Sequence, residues 1–314
     1  MTATPAAATP AVSAAVSPSA AAPAVSPWRG RDLGKRTVSY TERDAILYAL
    51  AVGARADDLD LVFEERLRVL PTFALTLAQW APDALGALGA FDITTAVHGS
   101  QRLTARRPLP RSGEVSMTAR VAAVWDKGGA AVFDIEVNSD HFLATWSLFA
   151  PGSGGFGGER GPSGPRRPEG AADQRLSVAT HPEQAAQYRL LGDRHHMHID
   201  PEAARAAGMP RPFLHGLCTL AAVTLPAAGA LGAHPADLTE LEARFSAPVF
   251  PGDRLTVDAW HDGPGGLRLE ASAYGRPVLT GIRTRFAAAP AEPPAFDTEK
   301  PSDARLQQKE SSDA

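Results

Sequence analysis

Apolar positions along this chain follow a helical rhythm and then a strand rhythm, and the pair of rhythms occurs twice. Thr41 and Asp44 have the spacing of a capping box, Ile46, Leu47 and Leu50 follow on one helical face, and Gly53 ends the helix. A second helix is expected from Leu70-Pro71-Thr72-Phe73-Ala74-Leu75, with proline in its first turn, running on towards Trp80. From Val97 the period shortens to two. Met117, Ala119, Val121 and Ala123 alternate with polar or small neighbours, and Phe133, Ile135 and Val137 do the same. Asp126-Lys127-Gly128-Gly129 reads as the hairpin turn between those strands.

The second half repeats the order. Asp200-Pro201 is a helix start, with a carboxylate to cap free N–H groups and proline at the first helical position, and Gly208 is its stop. Pro210 and Pro212 bar further helix until His215-Gly216 opens a long apolar run through Leu231. Leu255, Val257 and Ala259 then alternate, as do Leu267, Leu269, Ala271 and Ala273. Such a repeat predicts an α+β fold of two units, each a sheet wrapped around a long helix, paired edge to edge so that edge strands are hidden. The units are expected at residues 29–150 and 175–289, joined by a flexible Gly/Pro-rich connector at 151–174. The segments 1–28 and 290–314 have no periodic apolar face and are expected to be disordered.

Composition narrows the class. With 314 residues, 44% hydrophobic and 21% charged, the chain can build two substantial cores. A net charge of −4 offers no basic excess to neutralise phosphates, which argues against a nucleic-acid partner. No uninterrupted apolar run reaches the roughly 18 residues of a membrane span. The first basic residue is Arg29, so the charged start of a signal peptide is missing, and the lone Cys218 precludes an internal disulfide. A cytoplasmic protein is expected.

Candidate chemistry concentrates at 188–219, YRLLGDRHHMHIDPEAARAAGMPRPFLHGLCT. Asp193 and His198 can exchange protons with a water, and the Gly216 N–H at the head of the apolar helix can hold a developing oxyanion. That combination suits chemistry beside a carbonyl. His195, His196 and His198 also form a potential metal set, but no Cys pair or second His/Asp cluster accompanies them, so no metal is expected. Cys218, one turn into an apolar helix, reads as a small hydrophobe. The glycine run 152–158 lacks the Lys-Ser/Thr of a phosphate loop and reads as connector.

The segment resembles the signature of the MaoC-like (R)-specific 2-enoyl-CoA hydratases, the hydratase 2 group found also in peroxisomal multifunctional enzyme type 2. Tyr188, Gly192, Asp193, His198, Asp200 and the run from His215 to Thr219 fall on that pattern, whereas the family's Asn-Pro pair is His195-His196 here. Family-like features of the first half include the LPTF helix start, Val97-His98-Gly99 and Asp126-Lys127-Gly128, so the likeness covers roughly residues 30–290. The resemblance implies a double hotdog with Asp193, His198 and the Gly216 amide as catalytic groups. It implies an acyl-CoA substrate contacted by His98, Gly99, Lys127, His195, His215 and Phe245, no cofactor, and a possible homodimer. It implies reversible hydration of a trans-2-enoyl-CoA to the (R)-3-hydroxyacyl-CoA. The alternatives are dehydration of an (R)-3-hydroxyacyl group on a carrier protein and non-catalytic acyl-thioester binding. The first half has no Gly-Asp…His pair, and Leu70-Pro71 stands where the second half has His215-Gly216. Chemistry is therefore expected in the second half, and room for the acyl chain in the first.

Overall fold

The computed structural model describes residues 26–288, so both expected tails lie essentially outside the described residues. Its strands are β1 (Asp32–Tyr40), β2 (Val97–Ala105), β3 (Gly113–Asp126), β4 (Ala130–Asn138), β5 (Phe142–Pro151), β6 (Gln174–Ala179), β7 (Leu238–Phe245), β8 (Arg254–His261), β9 (Gly266–Ala273) and β10 (Arg276–Phe286). They form one antiparallel sheet in the order β1-β3-β4-β5-β2-β7-β10-β9-β8-β6. Read outward from the centre, each half has the same strand order, so the repeat in the sequence is a repeat in topology. The halves meet where β2 pairs with β7, from Ser100 opposite Arg244 to Thr104 opposite Glu240. The expected edge-to-edge union is thus a shared ladder, and only β1 and β6 remain as edges.

Helices α1 (Glu42–Ala51), α2 (Leu59–Val62), α3 (Phe73–Leu77), α4 (Trp80–Ala87), α5 (Gln184–Tyr188), α6 (Pro201–Ala206) and α7 (Gly216–Ala230) connect and fill this sheet. Thr41 and Asp44 close a reciprocal capping box on α1, and Asp200 caps α6 with Pro201 at its first position. α7 is apolar almost all round and correspondingly buried from Leu217 to Thr224, as a helix enclosed by a sheet must be. Inside it the hydroxyls of Thr219 and Thr224 donate back to the carbonyls of His215 and Ala221. The strand positions that alternate in sequence alternate in burial too: Leu255, Val257 and Ala259 are inward, as are Leu267, Leu269, Ala271 and Ala273.

The first half differs from expectation in its central helix. The helix expected from Leu70 towards Trp80 is two short helices, α3 and α4, with Ala78 between them at ψ 0°. Pro82 accounts for the break. A continuous helix would drive its ring into the Ala78 carbonyl four residues back, whereas in the first turn of a new helix its missing N–H costs nothing.

The connector between halves is also more fixed than its composition suggests. The buried carboxylate of Asp126, at the end of β3, accepts backbone N–H bonds from Gly128, Gly155, Gly157 and Gly158 at 2.7–3.3 Å. A side chain at Gly154 would strike the Ala130 and Gly128 carbonyls, so only glycine allows this fold-back. No helix among the described residues is long and apolar enough to cross a membrane.

Candidate active site

α5 runs into a single 3₁₀ turn, Arg189–Leu191, and the chain reverses at Gly192, whose φ of 148° few side chains tolerate. Asp193 follows, then a second 3₁₀ turn over His196–His198, then the cap of α6. The prolines after α6 keep the chain extended, so Phe213 to His215 return alongside this loop and α7 starts beside it. His198 and His215 are 8% and 2% exposed, and the Asp193 side chain is 18% exposed.

Asp193, His198 and His215 each place one polar atom within 4.8 Å of the others. Their hydrogen bonds fix the tautomers. Nδ1 of His198 donates to the Phe213 carbonyl at 2.8 Å, and Nε2 of His215 donates to the Asp193 carbonyl at 3.1 Å. A carbonyl only accepts, so Nε2 of His198 and Nδ1 of His215 carry lone pairs. The His215 Nδ1 is buried with no protein partner, an acceptor left for a water or a ligand. Proximity of this kind serves acid–base chemistry, and by itself it does not make the three a metal site.

Burial pushes the His215 imidazole down to about 3 and lowers that of His198, so both rings are neutral near pH 7. Burial would raise the Asp193 carboxyl, but the hydrogen bond from His195 and the fields of His215, His195 and His198 outweigh it and hold the group well below the usual carboxylate range. His195 is displaced the other way: the Asp193 carboxylate at 2.5 Å raises its pKa, against the effect of its own partial burial.

These groups border a cavity of about 470 Å³ that also reaches residues of the first half. As the first residue of α7, Gly216 has an N–H with no acceptor inside the helix. The ring of Phe245, from β7, lies so close that a Cβ on Gly216 would come within 2.9 Å of it. His98, from β2, packs against the ring of Phe245, with centroids 4.5 Å apart, and burial pushes its imidazole down to about 4. Thus Gly216, Phe245, His98 and Gly99, far apart in sequence, form one wall where the halves join.

Of the residues expected from sequence, Asp193, His195, His198, His215, Gly216, His98, Gly99 and Phe245 all border the cavity. Lys127 does not. It sits in the β3–β4 turn, where its ammonium donates to the Arg160 carbonyl. His215 belongs beside Asp193 and His198 more intimately than a substrate contact would require.

The structure adds residues that the sequence did not single out. The Thr76 hydroxyl of α3 shares a 3.3 Å hydrogen bond with that of Tyr188, whose ring packs against His215 at 4.8 Å. Asp83 of α4 faces His195 closely enough for their charges to act on each other. Gln79 and Pro82 reach the cavity as well. Helical spacing around Asp83 and Thr76 carries no sign of these roles, because only docking of the first half against the second creates them.

Comparison with known proteins follows the same division of the chain. Residues 165–278 match the MaoC like domain, and residues 38–145 match the MFE-2 hydratase 2 N-terminal domain. The chain is 38% identical over 277 residues to the enoyl-CoA hydratase ChsH3 of Mycobacterium tuberculosis, covering 81% of this chain and 95% of that one. It is 38% identical over 243 residues to the 3-hydroxyacyl-thioester dehydratase Y of the same organism, covering 72% and 83%. Among solved structures, a MaoC-like dehydratase from Phytophthora capsici superposes with a TM-score of 0.75 at 25% identity, covering 83% of this chain and 96% of that one. The M. tuberculosis protein described as having a double hotdog fold superposes with a TM-score of 0.52 at 17% identity, covering 82% and 96%, which bears on fold alone. With both domains matched in order and the same architecture recovered, the chain belongs to the MaoC-like, hydratase 2 family of double-hotdog proteins.

Proposed function

We infer that the chain is a hydro-lyase that adds water reversibly to a trans-2-enoyl-CoA, giving the (R)-3-hydroxyacyl-CoA. The observation that carries this reading is the convergence of Asp193, His198 and His215 beside the free amide that heads α7, all of them lining one cavity. The thioester carbonyl accepts the Gly216 N–H, so charge that builds on its oxygen meets an amide and the positive end of a helix. Neutral His198 takes a proton from water through Nε2. The hydroxide oxygen bonds C3, and C2 receives its proton by way of Asp193. Hydration is redox-neutral, so the reaction asks for no redox group, and the acid–base pair with the amide serves it without a metal. The (R) outcome is the one carried by the family's named signature.

The acyl chain extends from this centre along the cavity wall of Gln79, Pro82, Ile93 and Val97, all from the half that lacks its own catalytic residues. Mixing the protein with crotonyl-CoA and following absorbance at the enoyl-thioester band tests the reading. Decay of the band and formation of the 3-hydroxy thioester are expected, and no decay would reduce the chain to an acyl-thioester binder. The second reading is dehydration of an (R)-3-hydroxyacyl group on a carrier protein; the similarity to a 3-hydroxyacyl-thioester dehydratase supports the dehydration direction and names no carrier. Comparing kcat/KM for the same acyl group on coenzyme A and on a carrier protein separates the two.

A further inference from the structure

Position 195 is where the chain departs from the family pattern, and the histidine there is placed unlike its neighbours. Its side chain is 52% exposed, yet Nδ1 lies 2.5 Å from Oδ1 of Asp193, whose side chain is only 18% exposed. The backbone N–H of His195 reaches the same oxygen at 3.2 Å. Because the carboxylate accepts, Nδ1 bears hydrogen, and the ring has a second nitrogen with which to meet solvent. An asparagine amide has no such second site for a proton.

The hydration reading, on which this inference rests, gives such a group a task. His198 removes a proton from water and Asp193 supplies one to C2, so each turnover leaves the site with its protons displaced. His198 and His215 are enclosed at 8% and 2% exposure, which leaves His195 as the group that both touches Asp193 and reaches bulk water. Asp193, in direct contact, and the more distant Asp83 on α4 both favour the protonated imidazole, while its partial burial opposes it. The resting arrangement that follows is an ionised Asp193, a neutral His198 and the mobile proton on His195.

We propose that His195 is the proton relay between Asp193 and bulk water. Nδ1 gives its proton to Oδ1 of Asp193, which delivers it to C2 as hydroxide bonds C3. That leaves the ring neutral with its hydrogen on Nε2; once product leaves and water refills the cavity, Nδ1 takes a proton from that water and His198 releases to it the proton it took. One proton enters for each one delivered, and the site's net charge is restored. Dehydration runs the same path backwards.

The test compares the full-length protein with His195→Asn, which keeps a hydrogen-bond donor beside Asp193 but holds no transferable proton. Initial rates with crotonyl-CoA are measured at pH 7 with and without added imidazole. The relay predicts a kcat at least tenfold lower for the variant, a KM within about twofold, and recovery as imidazole is raised, while the parent ignores imidazole. Parental kcat in the variant overturns the relay, and so does a low kcat that imidazole leaves unchanged. If His195→Asn does not hold the parental melting temperature, His195→Gln takes its place under the same criteria. Absence of turnover in the parent itself would instead overturn the hydration reading.

Discussion

The rings of His198 and His215 lie against each other with centroids 3.8 Å apart and 31° between their planes. Two imidazolium cations so close, in a buried site, would repel strongly, so the pair is stable only while at least one ring is neutral. Burial keeps both so near pH 7, which equips His198 to act as a base.

The pH profile should show it. His198 must be unprotonated to accept a proton, and its pKa lies below the ordinary 6.5. Activity is then retained as pH falls through 6.5 and is lost only below that value. The acid limb of kcat/KM with crotonyl-CoA reads this directly, and a limb centred above 6.5 would exclude His198 as the free enzyme's base.

Removing either proton-handling group should cripple turnover without disturbing the fold. Asp193→Asn and His198→Gln are each expected to lower kcat by about two to four orders of magnitude, the range for a lost general acid or base. Circular dichroism and melting curves should match the parent. If both variants turn over at the parental rate, the acid–base assignment is wrong.

Gly216 is constrained by its neighbour as well as by its amide. A methyl group there would lie 2.9 Å from the Phe245 ring, so Gly216→Ala must shift that ring and its packing with His98 or tilt the head of α7. The expected cost is about 1–3 kcal/mol of stability, typical of overpacking, with a fall in kcat as the amide moves. Thermal melts and steady-state rates measure the two effects separately.

The connector should come loose in acid. The Asp126 carboxyl is lowered to about 2 chiefly by backbone N–H bonds from Gly155 and Gly128, with burial opposing them and Gly157 and Gly158 adding to them. A carboxyl depressed by folding stabilises above its unfolded value near 4 and loses that contribution as pH falls through its folded value. Asp126→Asn should therefore lower the melting temperature at pH 7, and its gap from the parent should narrow between pH 4 and pH 2. A gap independent of pH would mean that the carboxylate's charge plays no part.

The buttress behind the site can be probed from the first half. Thr76→Val removes the partner of the Tyr188 hydroxyl while preserving shape. A cost of about 0.5–1.5 kcal/mol is expected from the lost hydrogen bond. Since Tyr188 packs on His215, a reduced kcat should accompany it, and an unchanged kcat would separate the buttress from the chemistry.

What could be read from the residues alone follows how local each feature is. α7, the cap of α6 and the β3–β4 turn rest on neighbouring residues, so spacing and turn chemistry were enough. Asp193, His198 and Gly216 lie within one stretch, and a chemical argument could join them. β1 escaped notice because, as an edge strand, it buries little beyond Tyr40 and shows no alternation. Glycine composition does not reveal that Asp126, about thirty positions earlier, holds residues 155–158 of the connector. Asp83 and Thr76 were illegible for a similar reason: their roles exist only across the seam between halves.

The β2–β7 ladder has a consequence for how the protein behaves when scarce. Were the two units separate chains, the wall of Gly216, Phe245 and His98 would exist only above their dissociation constant. Tethering fixes their effective concentration, in the millimolar range for short linkers, however few molecules are present. Specific activity should therefore stay constant on dilution.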